Sequence, residues 1–309
     1  MNESLVNDVL SWNRFYDRSL QEKSYPPKKI ELFNRLIAHT NNFFIISAIG
    51  SFVPGYLMLI TKKLVPSFSL VNEKHIDELK WLIQVTKKAM EETYDRKAIE
   101  FEHGMCNCVG GLDRAHIHIM TIDKNASNDL IKDSINKTLI KRKAGINSVE
   151  INSCKLENIH DILEIMNSKD ASSYKVNGKQ LYFEDISNNL DYANWPLSAK
   201  SHVDAGGHYV YFNTNSKESS FFTSNNFQTQ LGRQIVYELE TKTNSEFKKM
   251  SDEILKKNNY ANIWKWQEFS FKENMLNTMN DLIPEIVKIK KDNKSNKFSF
   301  QTFEKKISV

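Results

Sequence analysis

Between residues 43 and 122 the chain runs strand, strand, helix, strand, strand, and that order leaves few folds open. The run 43–49, Phe43-Phe44-Ile45-Ile46-Ser47-Ala48-Ile49, is rich in aromatic and β-branched residues. Gly50 and then Pro54-Gly55 interrupt it, and a second such run covers 56–61. Residues 72–94 place Ile76, Leu79, Leu82, Ile83, Val85, Ala89 and Met90 at helical spacing, with Asn72 as the expected N-cap. Two more strands, 97–102 and 115–122, flank a loop at 104–113 that carries Gly104, Gly110 and Gly111. Hairpin-connected strands on either side of one helix predict an α+β domain, an antiparallel sheet with a helix packed on one face.

The remainder of the chain extends this frame. Residues 5–20 show helical spacing up to the break at Pro26-Pro27, and 129–142 read as a surface helix. Gly145, in the stretch 143–147, marks the expected boundary between a region 1–142 and a C-terminal α+β region 145–309. In the latter, 174–176 and 179–184 are expected strands joined by the turn Asn177-Gly178, and 208–213 is another. Helices are expected over 226–240, 244–257 and 271–291. This half carries no catalytic motif of its own and is expected to lie as a second layer over the N-terminal sheet.

Charge and composition narrow the partners. Forty-two Lys and Arg against 38 Asp and Glu leave a net charge of +4 over 309 residues, too little for a sequence-independent grip on nucleic acid. An anionic small molecule suits this balance better. No apolar run reaches the roughly 18 residues that cross a bilayer, and residues 1–20 lack a signal-peptide hydrophobic stretch, so a cytoplasmic protein without a membrane partner is expected. Cys106, Cys108 and Cys154 do not make a disulfide framework, which fits a reducing compartment.

The chemistry concentrates on one strand. In Arg114-Ala115-His116-Ile117-His118-Ile119-Met120 the residues alternate, so Arg114, His116 and His118 share one face while Ala115, Ile117 and Ile119 enter the core. Two imidazoles and a guanidinium side by side repel one another unless an anion joins them, and phosphate is the obvious one. A neutral imidazole can attack phosphorus and form a phosphoramidate, while neighbouring Arg and His donors stabilise the phosphoryl oxygens. Gly110-Gly111 could bring backbone N–H groups to the same phosphate.

Phe101-Glu102-His103-Gly104 followed by Gly111-Leu112-Asp113-Arg114-Ala115-His116-Ile117-His118-Ile119 resembles the signature of the histidine-triad superfamily. Upstream, Val53-Pro54-Gly55-Tyr56-Leu57-Met58-Leu59-Ile60-Thr61-Lys62 resembles the hairpin that precedes it in that family. The resemblance covers residues 30–125. A fainter likeness to larger histidine-triad-like proteins continues in Gln230-Leu231-Gly232-Arg233, Trp264-Lys265-Trp266 and Glu273-Asn274.

The resemblance implies a histidine-triad-like sheet with packed helices, and a nucleotide or nucleotide conjugate as substrate. It also implies cleavage or transfer at the α-phosphate through a covalent nucleotidyl-histidine. It makes His116 the middle, nucleophilic histidine and His118 the third, with Arg114 in place of the first. Tyr56 stands where the family usually has His, and Thr61 where it usually has Pro. Lys62, Gly110, Gly111 and Arg233 become expected substrate contacts. The C-terminal region could be a degenerate second half, giving a monomer by internal pseudo-dimer, or the protein could be a homodimer. The alternative function is a catalytically degenerate nucleotide-binding sensor or scaffold, motivated by Arg114, which cannot switch protonation near neutral pH.

Other residues take plainer readings. Cys106 and Cys108, with His103 nearby, have a CxC spacing that zinc sites seldom use, so neither a metal nor another cofactor is expected. Glu102 and His103 are expected to hold the adjoining loop through hydrogen bonds. His208 reads as structural, and Trp264 and Trp266 as core or interface residues.

Overall fold

The computed structural model describes residues 36–48, 50–62, 68, 71, 73–104, 115–141, 150–154, 175–176, 179–180, 209–213, 219–223, 230–258, 263–264, 272–292, 298 and 301–302. The helix expected over 5–20 and the residues Asn72, Cys106, Cys108, Gly110, Gly111, Arg114, His208 and Trp266 lie outside them.

The strands are β1 (Leu36–His39), β2 (Phe43–Ser47), β3 (Tyr56–Thr61), β4 (Lys97–Gly104), β5 (His116–Ile122), β6 (Glu150–Cys154), β7 (Lys175–Val176), β8 (Lys179–Gln180), β9 (Tyr209–Asn213), β10 (Ser219–Thr223) and β11 (Gln301–Thr302). The helices are α1 (Ile76–Tyr94), α2 (Asn128–Lys141), α3 (Leu231–Thr243), α4 (Ser245–Asn258) and α5 (Lys272–Asp292). Nine strands form one sheet in the order β11-β1-β2-β3-β5-β4-β9-β10-β6, and β7 pairs with β8 in a separate hairpin. Every pairing is antiparallel, so the α+β class holds. No described helix is long and apolar enough to cross a membrane.

Two expectations are corrected. Helices cover both faces of the sheet, because the strands are apolar on both. One core joins Leu57, Leu59, Ala98, Ile117 and Ile119 to α1 and α5, through Leu79, Leu82, Met90, Leu282 and Ile286. The other joins Met58, Ile60, Ile99, Phe101 and Met120 to Ile131 and Ile135 of α2, Ile235 and Leu239 of α3, and Phe247 of α4. Nor does the C-terminal half simply lie over the first. It extends the sheet edge to edge, β9 pairing with β4, and it also sends α5 to one face and α3 to the other. The α-helix α1 itself starts only at Ile76, after a 3₁₀ turn at Glu73–His75, and Asp77 and Glu78 complement its N-terminus.

Residues 48–55 connect β2 to β3, and Gly55 at φ +70° turns the chain into β3 where a Cβ would come within 2.6 Å of the Tyr94 ring. At the junction of the two halves a buried polar group crosses the first core. Lys87 of α1 pairs with Glu100 of β4 at 3.3 Å, and Glu100 also accepts the Tyr211 hydroxyl of β9 at 3.1 Å.

Glu100→Ala would leave the Lys87 ammonium buried without its carboxylate and Tyr211 without its acceptor. A loss of about 3–5 kcal/mol is expected, read from the midpoint of urea unfolding. Lys87→Met combined with Glu100→Leu should cost much less, since no charge is then stranded.

Candidate functional site

The antiparallel register assembles a rung across four strands on the second face of the sheet. Met58 of β3 stands opposite His118 of β5, His118 opposite Phe101 of β4, and Phe101 opposite Phe212 of β9. Three of these are rings, and they stack. His118 lies against Phe101 with centroids 4.7 Å apart and planes 14° from parallel, and Phe101 lies against Phe212 at 5.2 Å. His116, opposite Ile60, meets His118 edge-on at 4.9 Å. His103, at the end of β4, is 6.3 Å from His118. The alternation of β5 thus operates as the sequence implies, with Ala115, Ile117 and Ile119 in the first core, but the histidine face opens onto the second core and its helices.

His118 is half-buried. Tyr56, at the start of β3, brings its hydroxyl within 2.6 Å of His118 Nδ1. Burial, chiefly, holds His118 well below its ordinary pKa of 6.5, and the electrostatic influence of the neighbouring His116, His103 and Arg233 acts in the same direction. The imidazole is therefore neutral at physiological pH.

Arg233 reaches this surface from the first turn of α3. It is only 3% exposed, and its guanidinium lies between two rings, 5.1 Å from the Tyr56 centroid and 5.2 Å from that of Phe52. Its Nε donates to the Trp264 carbonyl at 2.6 Å and its Nη2 to the Gly50 carbonyl, while Nη1 has no partner among the described residues. Asn274 of α5 donates to the carbonyl of Ser51 at 2.7 Å. Arg233 and Asn274, from two of the C-terminal motifs singled out in the sequence, therefore both bond carbonyls of the β2–β3 connection, and Trp264, from the third, accepts from Arg233. Trp264 itself packs at 5.3 Å on Tyr237, within the second core.

The approach of α3 depends on Gly232. A Cβ there would lie 2.3 Å from the Phe101 ring, so only glycine lets the helix end come down on the stack. Its N–H donates to His103 Nε2 at 3.0 Å. That bond makes Nε2 an acceptor and puts the His103 proton on Nδ1. Glu102, on the opposite face, accepts the Phe68 N–H at 2.8 Å. Both residues fasten neighbouring segments.

Of the residues expected at a site, the structure brings together His116, His118 and Arg233. Lys62 reaches instead across β2 to β1, where its ammonium bonds His39 Nδ1 at 3.0 Å and the Thr40 carbonyl, above the Phe44 ring. Arg114, Gly110 and Gly111 lie outside the described residues. Among those described, no group of three or more His, Cys, Asp or Glu is placed to hold a metal ion. Sequence reasoning missed the functional weight of Tyr56, noted only as a departure from a family pattern, and the close approach of Gly232. No protein-family model matches the chain, and no curated protein is significantly similar to it.

Two consequences can be measured. Gly232→Ala must displace either α3 or Phe101, costing about 1–3 kcal/mol in thermal unfolding and disturbing the His118 resonances. His118 binds its proton less readily folded than unfolded, so its contribution to stability is complete above pH 6.5, its ordinary value, and is lost as pH falls through the lowered one. His39, also lowered by burial, adds to the same slope. Between pH 6.5 and the lowered value, unfolding free energy should fall by up to about 1.4 kcal/mol per pH unit per such group as pH falls, and His118→Gln should flatten the slope.

Proposed function

We propose that the protein acts at the α-phosphate of a nucleotide conjugate, as a hydrolase or nucleotidyltransferase, with His116 as the nucleophile. The observation that carries this reading is the company of the two imidazoles. Beside His116 and His118 lies the buried Arg233 guanidinium, held by carbonyl oxygens and aromatic rings, and a surface carrying that fixed charge gains from a bound anion. The resemblance of residues 30–125 to histidine-triad proteins supplies the substrate class, and the single sheet shared by both halves supports the internal pseudo-dimer.

The chemistry follows from a neutral imidazole. A His116 ring nitrogen attacks phosphorus, the N–P bond forms as the P–O bond to the leaving group breaks, and a nucleotidyl-histidine results. Water or an acceptor hydroxyl then displaces the histidine. Cationic and N–H groups around the site stabilise charge on the phosphoryl oxygens through both steps.

Incubation with dinucleoside polyphosphates, nucleotide sugars and nucleoside phosphoramidates should give an intact-mass increment of one nucleotidyl group, absent from His116→Ala. That variant should fold normally and lose at least about 100-fold in turnover. Wild-type turnover in His116→Ala would sink the nucleophile assignment. Nucleotide binding without an adduct or turnover in the wild type would favour the sensor reading.

A further inference from the structure

Tyr56 is 2% exposed, belongs to the second core, and yet places its one polar atom on a histidine. Either partner could donate in that bond, and three arguments select the phenol. A separation of 2.6 Å suits an O–H donor, whereas N–H donors sit nearer 2.9–3.0 Å. The bare nitrogen of a neutral imidazole is a stronger acceptor than a phenolic oxygen whose lone pair is shared with its ring. The Arg233 guanidinium, over the Tyr56 ring, favours electron density on that oxygen being pulled away from its hydrogen. All three act in one direction.

From this geometry we propose that Tyr56 is a positioning residue: its hydroxyl donates to Nδ1 of His118 and fixes the proton of that imidazole on Nε2. An N–H donor is then held on the ring edge turned away from Tyr56. Along β5 the order is Tyr56, opposite Met120, then His118, then His116, so His118 stands between the phenol and the proposed nucleophile. A fixed Nε2–H is available to a phosphoryl oxygen bound beside His116, and it needs no protonation change to act. His103 is locked by the analogous device, a backbone N–H on Nε2, with the opposite tautomer. Among the described residues, the charged and titratable groups facing His118 are His116 on its own strand, His103 on β4, Tyr56 on β3 and Arg233 on α3. The catalytic use of the Nε2–H rests on the function proposed above, whereas the tautomer does not.

The test reads both separately. In the full-length protein with ¹⁵N-labelled imidazoles, long-range proton–nitrogen spectra report the tautomer of each of the eight histidines, and His118→Gln assigns the His118 signals. The wild type should show His118 as Nε2–H. Tyr56→Phe keeps the ring packing and should turn this into a tautomer mixture, with the other histidine signals in place. On the best substrate, kcat should fall about tenfold at little-changed KM. The titration of His118, followed in the same spectra, should move to higher pH, because a hydrogen bond favouring the neutral imidazole is lost. A wild-type His118 with its proton on Nδ1 overturns the proposal without any variant. So does Tyr56→Phe with an unmoved tautomer and an unmoved His118 titration, even if kcat drops, since packing alone would then account for the loss. Absence of turnover in a wild type whose His118 is Nε2–H would count against the proposed function and leave the hydrogen bond intact.

Discussion

The ladder between β4 and β9 is the interaction on which the arrangement rests. Glu100–Gly104 pair with Tyr209–Asn213 residue by residue, so the backbone groups along one side of β4 are satisfied by the other half of the chain. That ladder places Phe212 next to Phe101 in one rung and Tyr211 next to Glu100 on the other face. Both cores cross the junction as a result. It also lets α3 descend where it does, with Gly232 on Phe101 and its N–H on His103. Without β9, the histidine face of β5 would lose much of its roof.

Among the described residues, cations buried in the cores or at their edge are held in two ways. Lys87 is neutralised by Glu100 at 3.3 Å, and Arg96 by Glu240 at 2.7 Å, the latter carboxylate also accepting the Asp123 N–H at 2.8 Å. Each pair sets a carboxylate against its cation at close range. Arg233 is held by carbonyl oxygens and aromatic faces instead, which solvate a guanidinium without cancelling its charge. Its field therefore extends to His118, where it reinforces burial in keeping the ring neutral. A positive potential maintained inside a core costs stability, and such costs are typical where a fold serves a ligand.

The strand–strand–helix–strand–strand frame was legible because each element carries its own period: alternation in β5, helical spacing from Ile76 to Met90. The four strands β1, β6, β10 and β11 escaped; β6 and β10 are as long as β2 and β9, which were read, so length explains only β1 and β11. Leu36–His39 has four residues and Gln301–Thr302 two, too few for a period to show, and their pairing depends on partners distant in sequence. His116 and His118 were readable from their spacing, but the covered nature of their face was not deduced. A signal was present, since Met120 and Ile122 continue that same face as wholly apolar positions. Polar residues passing to apolar ones along one face indicate a strand that runs from a pocket into a core. The contacts of Tyr56 and Gly232 had no local signal at all, because both are set by tertiary approach.

The sheet order also governs when the chain can finish folding on the ribosome. β4 emerges more than a hundred residues before its partner β9, and β1 must await residues 301–302 to acquire β11. Through most of synthesis the nascent sheet therefore presents open edges on both sides, the geometry that invites pairing with other chains. Contacts this distant in sequence also slow closure. Edge-to-edge pairing with other chains thus competes with closure of the sheet until its distant partners have been made.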